Sequence, residues 1–233
     1  MSAPGTRQLP LALRYPPDQR FETCVGIPAE VLAQLSALAT TGGDGIYLAG
    51  AAGVGKTHLA LAACAAAEAA GRRAAYLPLQ AAAGRLRDAL QAMDAAALVA
   101  LDGIDAIAGN RDDEVALFDF HNRARGSGVS LLYAGRAAPD GLPLVLPDLR
   151  SRLSQCARVV LSPLDDEGRR EVLRERARRR GLAVDPAALE WLLRRVGRDL
   201  GGLTRLLDRL DHASLAAQRR LTVPFLRETL GDL

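Results

Sequence analysis

The sequence has few aromatic residues, few cysteines and no long apolar run. Aromatic residues make up 4% of the 233 residues, so the core must consist mainly of Ala, Leu and Val. The three cysteines, Cys24, Cys64 and Cys156, are far apart and form no C-x-x-C pair, which argues against a disulfide framework or a zinc site and favours a reducing compartment. No apolar run approaches the roughly 20 residues that span a bilayer, and no signal-peptide pattern opens the chain. We therefore expect a cytoplasmic protein without a membrane partner.

Lysine is almost absent. The chain has 30 lysine and arginine residues, and the only lysine among them is Lys56. A compact ammonium group suits a site among phosphate groups, where a planar guanidinium is a poor substitute. The net charge of +3 is a mild excess, interleaved with acidic residues, and does not by itself indicate a nucleic-acid-binding patch.

The order of the predicted elements indicates an α/β fold followed by helices. Short apolar strands at 46–49, 74–79, 97–101, 129–134 and 158–161 alternate with helices at 29–39, 56–70, 82–92 and 113–125. This alternation predicts a parallel sheet with helices on both faces. After 162 only helices are predicted, at 165–180, 186–196, 200–218 and 223–230. We predict an extended arm over 1–20, an α/β domain over 21–162 and a small all-helical lid domain over 163–233.

A phosphate-binding motif follows the first strand and opens the second helix. It matches G-x-x-x-x-G-K-[ST] with the residues Gly50, Ala51, Ala52, Gly53, Val54, Gly55, Lys56 and Thr57. The glycines let backbone N–H groups curl around phosphate oxygens, and the helix directs its positive end at them. Lys56 is expected to reach the β and γ phosphates. The motif predicts ATP or ADP as the ligand and leaves the choice between them open.

A metal ligand is predicted at the end of the third strand. There the apolar stretch 98–101 is followed by Asp102, which with the Thr57 hydroxyl would hold Mg²⁺. Many ATPases of this class place a second acid directly after the first, to orient the attacking water. Here that position is Gly103, and Asp105 would face elsewhere if the strand continued. We therefore expect little hydrolysis by this chain alone.

Several segments resemble the Hda family of DnaA-related AAA+ proteins, nearly from end to end. They are 8–13 (QLPLAL), 21–26 (FETCVG), 102–109 (DGIDAIAG), 117–123 (LFDFHNR), 146–153 (LPDLRSRL) and 210–225 (LDHASLAAQRRLTVPF). The resemblance implies a P-loop AAA+ fold that holds ADP, docks on the DNA-loaded β sliding clamp and stimulates ATP hydrolysis by the initiator DnaA. Such a protein would block a second round of initiation and would be associated with the nucleoid and the replisome. Whether it forms homo-oligomers is left open.

Two sites carry over from the family residue by residue. Gln8, Leu9, Leu11 and Leu13 fit its Q-L-x-L-x-L clamp-binding pattern, in which an extended peptide places alternate leucines in an apolar groove. Arg152 resembles its arginine finger, a guanidinium that acts in trans on the γ-phosphate of a partner's nucleotide. The neighbouring Arg150 is the weaker candidate.

The sequence departs from the family at both sensor positions. The fourth strand ends on Ala134-Gly135-Arg136 where a polar sensor is expected, and the family's lid sensor arginine aligns with Gly201. Whether Arg136 or Arg198 takes over a sensor role is left open. The three histidines, His58, His121 and His212, are interpreted as surface or packing residues.

Two other functional classes compete with the regulator. The first is a self-sufficient AAA+ ATPase such as a helicase loader, which the missing second acid disfavours. The second is an initiator that binds DNA. Only a short stretch follows the predicted lid, without room for a helix-turn-helix domain, so we expect no sequence-specific DNA binding.

Overall fold

The computed structural model describes residues 19–195, 202, 206–207, 209–211, 213 and 220–231. Its centre is a five-stranded parallel sheet with the order β2-β3-β4-β1-β5. The strands are β1 (Ile46–Ala49), β2 (Ala74–Pro78), β3 (Leu98–Asp102), β4 (Ser130–Gly135) and β5 (Ala157–Val160). Because all of the strand pairings are parallel, the carboxyl ends of β1 and β3 lie at the same edge of the sheet.

Nine described helices accompany the sheet. They are α1 (Ala29–Thr40), α2 (Lys56–Ala69), α3 (Leu79–Ala82), α4 (Leu86–Gln91), α5 (Arg111–Gly126), α6 (Pro147–Ser154), α7 (Asp166–Arg179), α8 (Pro186–Arg195) and α9 (Val223–Leu230). Short 3-10 helices occur at Phe21–Thr23, Ile104–Ala106 and Pro139–Gly141. None of the helices in the described part of the chain combines the length and apolar character needed to cross a membrane.

Both faces of the sheet are buried, because successive side chains along each strand point to opposite sides. On one face Tyr47, Leu101 and Tyr133 pack with α5 and α6. On the other face Leu48 and Ala100 pack with the Ala-rich α2 and with α1. The apolar strands are therefore covered on both sides, and the predicted α/β fold class is confirmed: a parallel sheet with helices on both faces, followed by a helical region.

The lid region has its own apolar cluster. Leu173 of α7, Leu192 of α8 and Phe225 of α9 are buried in it, together with Leu221, which pairs with Val184 in an isolated parallel bridge. The predicted helix at 200–218 lies largely outside the described residues.

One helix prediction was wrong in detail. The expected helix at 82–92 overlaps only the last residue of α3 and then α4, with a break between them at Gly84, whose φ of 79° lies in the left-handed region. Asp113 of α5 stabilises the break, because its carboxylate accepts the backbone N–H groups of Gly84 and Leu86 at 2.6 and 3.2 Å. A tertiary contact thus decides where α4 begins. The helix α6, which carries Arg152, was not among the predicted helices.

Candidate functional site

The phosphate-binding motif forms the turn between β1 and α2, at the carboxyl edge of the sheet. Gly53 and Gly55 have φ values of 78° and 99°, a region that residues with a Cβ atom rarely adopt. At Gly50 a Cβ would lie 2.6 Å from the carbonyl oxygen of Leu161, so only glycine fits there. Ala51 and Ala52 are exposed, and Val54 is buried and anchors the turn in the core. The loop is therefore exposed at Ala51 and Ala52 and is held to the core at Gly50 and Val54.

Lys56 begins α2, and its side chain folds back over the loop. The ammonium donates to the carbonyl oxygens of Gly50 and Ala51 at 2.6 and 2.7 Å. Burial lowers its pKa, and the positive charge of Arg136 acts in the same direction, while Asp102 and Asp105 oppose the shift. The one lysine of the chain therefore lies inside the loop, within the field of two carboxylates.

The two predicted magnesium ligands are in direct contact. The Thr57 hydroxyl donates to Oδ2 of Asp102 at 2.6 Å, which joins the start of α2 to the end of β3. A hydroxyl and a carboxylate are oxygen donors of the kind that Mg²⁺ prefers. Sequence reasoning missed a third member: Tyr76 of β2, whose hydroxyl donates to the same Oδ2 at 2.9 Å. The only feature of the sequence that pointed to it is a tyrosine in the predicted strand that precedes the one ending at Asp102.

The chain does not continue as a strand after Asp102, so the premise about Asp105 does not hold. Gly103 turns it with a φ of 87°, and a 3-10 helix follows. Asp105 then accepts the backbone N–H of Arg136 at 3.0 Å and forms an ion pair with its guanidinium at 3.1 Å. Arg136 directly follows β4, at the predicted sensor position. Asp105 thus lies near the phosphate loop but is engaged by a cation.

Arg152 lies in a different part of the α/β domain. It is on α6, close enough to the buried His121 of α5 that its charge lowers the pKa of that histidine. Among the described residues, no side-chain hydrogen bond or ion pair holds the Arg152 guanidinium. The guanidinium of Arg150, by contrast, donates to the carbonyl oxygen of Leu144. The two arginines of α6 therefore differ in how firmly each is held.

The two histidines among the described residues, His121 and His58, occupy packing positions. His121 is buried and hydrogen-bonds through Nδ1 to the Tyr133 hydroxyl at 2.8 Å. His58, in the first turn of α2, contacts the Thr23 hydroxyl at 2.7 Å and so connects the helix after the phosphate loop to the segment that precedes α1. His212 and the predicted clamp motif, Gln8, Leu9, Leu11 and Leu13, lie outside the described residues, as do Arg198 and Gly201.

Two family models match the chain. The model described as the ATPase family associated with various cellular activities matches residues 46–134, and the model described as the Hda lid domain matches residues 166–230. The first match contains the phosphate loop and Asp102, and the second covers the described helices α7, α8 and α9.

Several solved structures share the fold. Domain III of the DnaA replication initiation protein of Thermotoga maritima is 19% identical with a TM-score of 0.80, over 94% of this chain and 98% of that one. AMPPCP-bound DnaA from Aquifex aeolicus is 20% identical with a TM-score of 0.67, over 84% of this chain and 66% of that one. The Thermotoga maritima RuvB Holliday junction branch migration motor is 18% identical with a TM-score of 0.62, over 88% and 69%. At these identities the likeness establishes the fold.

Proposed function

Since the chain is a AAA+ protein related to Hda and DnaA, we propose that it is a regulator of replication initiation. In this proposal it binds an adenine nucleotide, ADP, docks on the DNA-loaded sliding clamp and stimulates ATP hydrolysis by DnaA, which prevents re-initiation. The observation that carries the proposal is the match to the Hda lid on a AAA+ core whose phosphate loop is intact. We retain the predicted division into an arm (1–20), an α/β domain (21–162) and a lid (163–233), and a location in the cytoplasm at the replisome.

The geometry of the loop supports nucleotide binding. Residues 50–57 present backbone N–H groups and the Lys56 ammonium at the start of a 14-residue helix, which is the arrangement that binds phosphate groups. Mg²⁺, when bound with the nucleotide, would neutralise phosphate charge, and Thr57 and Asp102 are the residues that would hold it. The relative from Aquifex aeolicus has AMPPCP bound, which shows that this fold accommodates an adenine nucleotide.

The surroundings of Asp102 support weak hydrolysis by the chain itself. Gly103 has no side chain that could orient an attacking water. Asp105, the next acid, forms an ion pair with the Arg136 guanidinium at 3.1 Å and accepts the Arg136 backbone N–H at 3.0 Å. A carboxylate held by these two contacts is not free to orient an attacking water. The proposed activity therefore lies in trans.

The state of Arg152 supports that role in trans. An arginine finger must reach another molecule, so it should not be held by contacts within its own chain. The Arg150 guanidinium is held by a backbone carbonyl, whereas no side-chain hydrogen bond or ion pair among the described residues holds that of Arg152. We propose that Arg152 contacts the γ-phosphate of the ATP bound to DnaA and stabilises the charge that develops there.

The arm completes the proposal. Gln8 would hydrogen-bond at the rim of the clamp groove while Leu9, Leu11 and Leu13 contribute apolar contacts, as in other extended peptides that bind grooves. Docking on a clamp would raise the local concentration of the regulator around newly replicated DNA. We propose no sequence-specific DNA binding.

One observation favours the alternative of a self-sufficient AAA+ ATPase. The turn at Gly103 brings Asp105 close enough to the phosphate loop for its charge to act on Lys56. If Arg136 moved to the nucleotide, Asp105 would become an unpaired acid near the site. The regulator remains the better supported function, because the lid match is specific to Hda and because Asp105 is paired in this structure.

The test measures ATP hydrolysis by DnaA in the presence of the clamp loaded on DNA. Wild-type protein is compared with Gln8→Ala and Arg152→Ala, and with two charge-removing controls, Arg7→Ala beside the clamp motif and Arg158→Ala on β5. We expect stimulation by the wild type and by both controls, and loss of most of it in the Gln8 and Arg152 variants. ATP hydrolysis by the protein alone, indifferent to clamp and initiator, would establish the alternative function instead.

A further inference from the structure

Tyr76 lies on β2, beside the strand that carries Asp102. In the register of the two strands Tyr76 is opposite Ala100, two residues before Asp102. The ring is half-buried and packs against the apolar cluster that also contains Leu59 and Ala63 of α2. The packing of the ring fixes the position of the hydroxyl, which projects to the carboxyl edge of the sheet, where the phosphate loop and Asp102 meet.

The hydrogen bonds of Asp102 are unevenly divided between its two oxygens. Oδ2 accepts the Tyr76 hydroxyl at 2.9 Å and the Thr57 hydroxyl at 2.6 Å. Within the described residues no hydrogen bond reaches the other oxygen, Oδ1. One oxygen is therefore fixed by two donors on different elements, β2 and α2, and the other remains available.

The chemistry of the two groups suits this arrangement. An ionised carboxylate only accepts hydrogen bonds, and a tyrosine hydroxyl can donate one. The Tyr76 hydroxyl is therefore a suitable partner for Oδ2 of Asp102.

We propose that Tyr76 is a positioning residue for the metal site: it holds Oδ2 of Asp102 so that Oδ1 faces the position where Mg²⁺ binds with the nucleotide. The inference rests on the proposed nucleotide-binding function. A metal-ligating carboxylate that is fixed by an outer hydrogen bond does not have to be ordered when the metal binds. Loss of such a partner typically weakens metal affinity about 10–100-fold. Thr57 alone would leave Asp102 free to rotate about a single contact.

The experiment measures ADP binding by calorimetry over a series of Mg²⁺ concentrations and in EDTA, for the wild type and Tyr76→Phe. Phenylalanine keeps the ring and its packing and removes only the hydroxyl. We expect the Mg²⁺ concentration that gives half of the Mg²⁺-dependent gain in affinity to rise roughly tenfold. We expect the ADP affinity in EDTA to stay within about twofold of the wild type, because without the metal Asp102 is not a ligand.

Tyr47→Phe is the matched control, since Tyr47 is also a sheet tyrosine with a hydrogen-bonded hydroxyl, which donates to the carbonyl oxygen of Ala137. It should leave the Mg²⁺ midpoint unchanged. In an Asp102→Asn background Tyr76→Phe should add no further shift, because the two residues act as one unit. A Tyr76→Phe midpoint equal to the wild type, or an equal loss of ADP affinity in EDTA, would overturn the positioning role alone. A wild type that binds no ADP would overturn the proposed nucleotide-binding function itself.

Discussion

Carboxylates occur in two different settings in the α/β domain. Asp113 and Glu114, in the first turn of α5, are 3% and 0% exposed and accept hydrogen bonds from backbone N–H groups. Asp102, at the end of β3, is only partly buried and accepts from two side-chain hydroxyls. Buried carboxylates with backbone partners hold loops in place, whereas a partly exposed carboxylate with hydroxyl partners can exchange a contact for a ligand.

The buried carboxylate of Glu114 helps to position the helix that carries Arg152. Its carboxylate accepts the N–H groups of Gly109, Val145 and Leu146, and so joins the loop before α5 to the loop before α6. Leu146 is the residue that precedes the first turn of α6, the helix with Arg152. Glu114 therefore fixes where α6 begins, although it belongs to no predicted site.

The largest effect on stability is expected for Glu114→Ala. The change leaves three part-buried backbone N–H groups without their acceptor. A hydrogen bond to a charged group contributes about 1.5–3 kcal/mol, so we expect a loss of about 4 kcal/mol. Asp102→Ala removes two hydrogen bonds from hydroxyl groups and should lower the free energy of unfolding by about 1–2 kcal/mol while abolishing the Mg²⁺ dependence of ADP binding. Urea unfolding checks the first and calorimetry the second. Equal destabilisation by both variants would show that Glu114 and Asp102 do not differ in their contribution to stability.

A pH effect on stability is expected from His121, a third buried polar group. Burial lowers its pKa to about 4, and the charges of Arg125 and Arg152 act in the same direction. In the unfolded chain the imidazole binds a proton near pH 6.5, so protonation favours unfolding. Stability should be complete above pH 6.5 and fall between pH 6.5 and 4, by about 1.4 kcal/mol per unit and on the order of 3 kcal/mol in total. The check is to measure the free energy of unfolding of the wild type and of His121→Asn across this pH range. It should depend less on pH in the variant.

Substitution of Lys56 should have the largest effect on nucleotide binding. Lys56 is the only lysine of the chain, and its ammonium is expected to donate to the phosphates of ADP. Hydrogen bonds to charged groups contribute about 1.5–3 kcal/mol, so Lys56→Ala should weaken ADP binding about 100-fold. Lys56→Arg should weaken it as well, because the guanidinium does not fit between the carbonyl oxygens of Gly50 and Ala51. Wild-type affinity in the arginine variant would show that charge alone suffices and that the loop geometry does not discriminate.

The smallest effect separates the two arginines of α6. Arg150→Ala removes a hydrogen bond to the Leu144 carbonyl and should lower the free energy of unfolding by about 1 kcal/mol. Arg152→Ala should change it by less than about 0.5 kcal/mol, as is usual for a side chain without fixed partners. Thermal unfolding of the two variants side by side measures the difference. A larger loss for Arg152→Ala would assign that residue a structural role.

Much of the proposed nucleotide site could be predicted because it depends on contiguous residues. The glycines and Lys56 of 50–57 lie in one turn between a strand and a helix, so the motif and the apolar periodicity around it were enough to place the loop. Asp102 could be placed at the same edge because parallel strands present their carboxyl ends together. Tyr76 could not be assigned, because its partner depends on which strand lies beside β3, and the sequence does not give the order β2-β3-β4-β1-β5.

The sequence by itself determined the α/β class, the helical region after the sheet and the phosphate loop, because periodicity, glycine positions and a single lysine are local properties. Only the tertiary structure decided three other features. The chain turns at Gly103, so that Asp105 forms an ion pair with Arg136. Asp113 accepts a hydrogen bond at the break in the predicted helix at 82–92, and Tyr76 donates one to Asp102. Each of these depends on a polar side chain that meets a partner at least 26 residues away in the chain. Local patterns do not encode such pairings, because the partner is selected by the packing of the sheet and its helices.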